Sequence, residues 1–138
     1  MKRLTLGLAL LLATAVVSAA DPTPDSISSQ FFDTLIKGDS GKAVDGFFGT
    51  NPMFKEKGQQ IQLLKSQLSG ALQIYGPATA AELISKEDLS PSLQRHVYIT
   101  KHEFHPLSWE MYFYKGKSGW LSDQLVFVDQ YQVIGPKK

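Results

Sequence analysis

The chain has 138 residues, with 14 basic against 13 acidic side chains, a net charge of +1 and no cysteine. That near-balance gives no electrostatic reason to expect nucleic acid or an anionic membrane surface as a partner. The missing thiol excludes a disulfide framework, a thiolate metal centre and a lipid-modified cysteine at an export cleavage site, so packing alone must hold the fold.

Lys2 and Arg3 form a short positive start, and Leu4 to Val17 follow without a charge. Ser18, Ala19 and Ala20 then place small side chains where a signal peptidase reads them, which predicts cleavage after Ala20. The apolar stretch of about 14 residues is short of the roughly 20 that a spanning helix needs. An uncleaved N-terminal anchor is the alternative, and the break at Asp21-Pro22 argues against it. Cleavage would leave 118 of the 138 residues, with 12 basic and 13 acidic, the usual size of one domain.

Residues 21–25, with two prolines, read as an extended leader. A first helix follows, capped by Asp25 or Ser26, with Ile27, Phe31, Phe32, Leu35 and Ile36 on one stripe. Gly38 ends it, and Asp39 or Ser40 caps a shorter helix that buries Ala43, Val44, Phe47 and Phe48. After a break at Gly49 to Pro52, a third helix is predicted over 53–75. Its face carries Ile61, Leu64, Leu68, Leu72 and Tyr75, widened by Leu63, Ala71 and Ile74. Gly76-Pro77 stops it.

From Ala78 the hydrophobic period changes to two, and four strands are predicted over 79–86, 93–104, 108–115 and 119–129. Helices followed by a meander indicate an α+β domain: three N-terminal helices packed on a curved four-stranded antiparallel sheet, over residues 26–134, with a short tail at 135–138.

The motif order adds a resemblance. It is carried by Lys37-Gly38-Asp39, Phe47-Phe48-Gly49-Thr50-Asn51-Pro52, Tyr75-Gly76, Lys101-His102-Glu103, Pro106-Leu107, Trp109, Phe113-Tyr114 and Gly119-Trp120. In that order the chain resembles the nuclear transport factor 2-like superfamily, with its cystatin-like cone, and in particular its small exported members of unknown function. Enzymes of that superfamily use an aspartate or histidine base and a tyrosine or protonated acid inside the cone. In the isomerase-like pattern the tyrosine lies on the first helix, which here carries Phe31 and Phe32, and the base follows a hairpin for which Gly49 to Lys57 is too short. The resemblance therefore implies the fold without that activity.

Pairing Tyr114 with Trp120 would put Trp109, Met111, Phe113, Leu121, Asp123, Leu125 and Phe127 on the helix-facing side of the sheet. A two-residue turn at His105-Pro106 would add Tyr98, Thr100 and His102 to that face and set Lys101 across from Glu110 as an ion pair. Tyr98, Thr100, His102, Trp109 and Asp123 are thus the expected pocket, with Asp123 its one charge. The alternative for Asp123 is a hydrogen-bonded strand position or a register slip that turns it to solvent. Tyr112, Tyr114 and Trp120 would cluster on the outer face and suit pairing with a second copy. His102 and His105 flank Glu103, but histidines three apart in a strand point to opposite faces, so no metal is expected. Serine-nucleophile and phosphate-loop motifs are absent from the sequence, and no cofactor is expected.

The functional expectation is an exported, periplasmic or secreted, non-catalytic protein without a membrane anchor once the signal is removed. It would bind a small apolar ligand in the cone or act as a protein-interaction module. The alternative is a small-molecule isomerase or hydrolase using Asp123 with His102 or Tyr98.

Overall fold

The computed structural model describes residues 18–131. All but the last three residues of the expected signal peptide, and the expected tail at 135–138, lie outside the described residues.

Helix α1 spans Pro24–Ile36. Its cap is Thr23, two or three residues earlier than the sequence suggested. The Thr23 hydroxyl accepts from Ser26 N, and Ser26 Oγ accepts in return from Thr23 N, a reciprocal capping box. Pro24 fits the first helical position because its missing N–H has no partner to lose there. Asp25 falls in the first turn instead, where a negative charge suits the helix dipole, and pairs with Lys86. Gly38, at φ 95°, turns the chain out of α1, and Asp39 caps helix α2, Ser40–Phe48, by accepting from Lys42 N.

The expected third helix is two pieces. Asn51 caps a 3₁₀ turn over Pro52–Glu56, Lys57 leaves helical geometry at φ −113° and ψ 31°, and helix α3 begins only at Gly58 and runs to Tyr75. Gly76, at φ 91°, ends it. Of the α3 stripe only Leu68 is fully buried, and Leu63 and Ile74 are 60% and 68% exposed. These two do not widen the core face as expected.

Strands β1 (Ala80–Ser90), β2 (Leu93–Lys101), β3 (Leu107–Gly116) and β4 (Gly119–Val128) form one antiparallel meander in the order β1-β2-β3-β4. Three helices followed by this sheet make the α+β fold read from the hydrophobic rhythm. β1 runs four residues beyond its expected end, because Glu87 pairs across from Arg95 and forms an ion pair with it at 3.0 Å. β2 stops three residues early, where His102 turns its Nδ1 to the Gly76 carbonyl at 2.8 Å. The β2–β3 connection is therefore a loop over 102–106, not a two-residue turn at His105-Pro106. As a result Lys101 pairs with Glu82 at 2.7 Å, while Glu110 lies across from Val97 and binds Arg95 Nε at 3.0 Å.

Trp109 anchors the core on the helix-facing side of the sheet. It is fully buried, with the rings of Phe31, Phe32 and Phe127 centred 5.3, 5.8 and 5.2 Å away. Phe47 and Phe113 extend the cluster toward α2. Mostly edge-on contacts of this kind satisfy the ring quadrupoles and leave little space between helices and sheet.

Candidate functional site

Four of the five expected pocket residues lie on the helix-facing side of the sheet or at its edge, three of them joined by hydrogen bonds. Trp109 Nε1–H donates to Thr100 Oγ1 at 2.8 Å, and Thr100 Oγ1 lies 2.7 Å from His102 Nε2. The Gly76 carbonyl can only accept, so His102 Nδ1 carries a proton and donates to it. In the tautomer with its proton on Nδ1, Nε2 is the acceptor of the Thr100 hydroxyl. Every polar atom in this line has its partner, and Thr100 and Trp109 are fully buried. Tyr98 stands beside them, paired with Trp109 across the strands, its ring centred 4.6 Å from Phe32. The group ties Gly76 to the sheet and includes the fully buried Trp109.

Asp123 is not with them. At the turn end Lys115 pairs with Trp120 and Tyr114 with Leu121, one residue off the expected register. A bulge then shifts the pairing by one residue more and so restores the expected faces: Phe113 faces Ser122, Tyr112 faces Gln124, and Asp123 is the extra residue between. Trp109, Met111, Phe113, Leu125 and Phe127 therefore share the inner face as expected, whereas Leu121 and Asp123 do not, and Ser122 is the residue turned inward. Thr50 Oγ1 accepts from Ser122 N at 3.0 Å, and Asn51 Nδ2 donates to the Ser122 carbonyl at 2.8 Å, so the α2 exit holds the bulged strand. Asp123 lies level with Arg95 and Gln94 of β2, seven or eight residues from His102. That is roughly 25 Å along the sheet, too far for a joint acid–base role.

The same slip moves Trp120. It packs against the core cluster, with Lys115 Nζ 5.8 Å from its ring centre, while Tyr112 and Tyr114 stay on the outer face. The outer aromatic group is thus two tyrosines, not three aromatics. Tyr112 donates to Glu110 at 2.8 Å beside buried Arg95, and Tyr114 is 49% exposed.

A second polar cluster joins α1 to β2. His96 is buried, with Nδ1 3.5 Å from Ser28 Oγ and Nε2 3.3 Å from Gln94 Oε1. Its pKa is lowered, mainly by burial; Asp25 and Asp88 oppose that shift and Lys86 adds to it.

An open space lies at the side of the core. Between α3 and the end of β4 runs an open groove of about 770 Å³, within the range of small-molecule sites. Leu64, Ala71 and Ile74 form one wall, Leu125 and Phe127 the other, with Leu107 between. The groove exists because α3 buries only Leu68 fully and stands off the sheet along its last turns. One end is polar. Tyr75 donates to Asp129 Oδ2 at 2.7 Å, and His105 Nε2–H donates to the Asp129 carbonyl at 2.7 Å. The His105 ring lies between Tyr75 and Tyr131, 5.2 and 6.0 Å from their centres. The hydrogen-bonded carboxylate raises the Tyr75 pKa, so the phenol stays a neutral donor.

No protein-family model matches this chain. No curated protein and no solved structure matches it either. The likeness to the nuclear transport factor 2-like superfamily rests on motif order alone, and the α+β architecture is what the structure itself shows. Among the described residues no group of three or more ligating side chains could hold a metal ion, and no helix is long and apolar enough to cross a membrane.

Tyr75, His105 and Asp129 had no place in the expected pocket. One sequence signal pointed to them. The apolar stripe of α3, with Leu63 and Ile74 added, is wider than one sheet edge can cover, and Tyr75 closes it.

Proposed function

We propose that this protein is a non-catalytic binding protein that takes a small apolar ligand in the groove between α3 and β4. The observation that carries the reading is the groove itself: an open apolar trough of about 770 Å³ beside a core already filled by Trp109 and its neighbours. Apart from Gln67, the polar side chains of the groove gather at one end and would orient a ligand without reacting with it. The ring nitrogens of His102 are both engaged, and Asp123 stands far from it, so the acid–base set proposed for an isomerase or hydrolase gains no support from the geometry. The pattern of residues 1–20 supports a place in the cell envelope.

Native mass spectrometry of the purified protein tests this. A retained apolar molecule, lost when Ala71→Trp fills the groove in a protein of unchanged circular dichroism, is the expected result. Retention undiminished in Ala71→Trp would place the ligand elsewhere.

A further inference from the structure

The groove has a charge pattern that narrows what it can hold. Of its lining residues only Asp129 is charged; the remainder are apolar apart from Gln67, Gln130, Tyr75 and Gly70. Among the described residues Asp129 makes no ion pair. Its Oδ2 is held by the Tyr75 phenol and its backbone carbonyl by His105, which leaves Oδ1 without a partner among the described residues. The Tyr75 hydrogen bond thus fixes the direction of the carboxylate at the end of an apolar trough, the His105 bond holds its backbone, and among the described residues no cation pairs with it. From Leu64 to Tyr75 the wall is about 16 Å long, room for an extended hydrocarbon chain.

We propose that the ligand is a cationic amphiphile: an apolar chain lying along Leu64, Ala71, Ile74 and Phe127, ending in an ammonium group at Asp129 and Tyr75. This rests on the groove being the binding site and adds the charge of the ligand. An anionic amphiphile such as a fatty acid would set its carboxylate against that of Asp129 and be rejected. A neutral alcohol would gain the apolar contact alone.

Three probes of equal chain length separate these cases: decylammonium, decanol and decanoate, titrated into the purified protein by calorimetry below micelle-forming concentrations. Decylammonium should bind about threefold to tenfold more tightly than decanol, the modest gain of a partly exposed charge pair, and decanoate more weakly than both. Asp129→Asn should bring decylammonium to the level of decanol and leave decanol unchanged. Because Asp129 is exposed, this variant is not expected to disturb folding. Decanol binding with no preference for the ammonium, or a preference that survives Asp129→Asn, would overturn the charge assignment and leave the apolar groove standing. Binding of none of the three would overturn both. A dimer that dissociates in Ala71→Trp would assign the groove to a second copy and overturn the ligand assignment.

Discussion

The Trp109 indole donates to Thr100 Oγ1 across 2.8 Å, and this bond determines how the rest of the line is used. Thr100 accepts from Trp109, so its own proton goes to His102 Nε2, and His102 holds the Gly76 carbonyl with its other nitrogen. The residue that ends α3 is thereby fastened to the centre of the sheet.

Thr100→Val keeps the shape and removes both roles of the hydroxyl. It leaves a buried indole N–H and an imidazole nitrogen without partners, which should cost about 1–3 kcal/mol. Thr100→Ser should cost less than half of that. Urea unfolding followed by tryptophan fluorescence measures both, and equal stability of Val and wild-type proteins would remove the line from the account.

His96 predicts a pH dependence. Burial lowers its folded-state pKa below the unfolded value of about 6.5, so the folded state favours the neutral ring. The stabilisation it contributes is complete above about pH 6.5 and is lost as the pH falls below that value toward the lower folded pKa. The loss is at most about 1.4 kcal/mol for each pH unit in that window. Unfolding free energies at pH 7.5 and pH 5 should therefore differ less in His96→Gln than in the wild type. Asp25, Asp88 and Lys86 also face the ring, so the comparison should be repeated in Asp25→Asn, which removes an opposing charge and should steepen the wild-type slope.

The outer face contains an ion pair that stabilises less than its burial suggests. Arg95 is buried between Glu87 and Glu110, each 3.0 Å away, and its Nη2 has no partner among the described residues. Arg95→Met should destabilise by about 3 kcal/mol, because it leaves carboxylates facing a site built for a cation. Adding Glu110→Gln should recover part of the loss. A double-mutant cycle checks this, and strictly additive effects would contradict the coupling.

Gly70 offers a stabilising change. A Cβ there meets nothing within 4 Å, and the residue is inside α3. Gly70→Ala should raise stability by about 0.5–1 kcal/mol, readable as a higher urea midpoint.

The architecture was legible because each boundary has a local cause. Gly38 and Gly76 need positive φ, and the change from helical spacing to alternation after Gly76 separates helices from sheet. The register was not legible. A two-residue turn between Gly116 and Gly119 shifts the pairing by one residue and the extra residue at Asp123 by one more, so the face is wrong at Trp120 and right again at Leu125, where the pairing is two residues off. Asp123 and Trp120 were misplaced for that reason alone, while Trp109, Thr100 and Tyr98 were not. The groove was hidden for a different reason. Periodicity says which face of α3 is apolar, but the gap between that face and β4 is a tertiary quantity. The start of α3 was missed because Asn51 and Pro52 nucleate a separate 3₁₀ turn within a stretch of good helix formers.

Chemical-shift mapping of the isotope-labelled protein with decanol tests the groove most directly. Amide shifts concentrated at 64–75 of α3 and 125–130 at the end of β4, saturating with added decanol, are the expected result. Shifts centred on Tyr112 and Tyr114 of the outer face, or no saturable shifts at all, would contradict it.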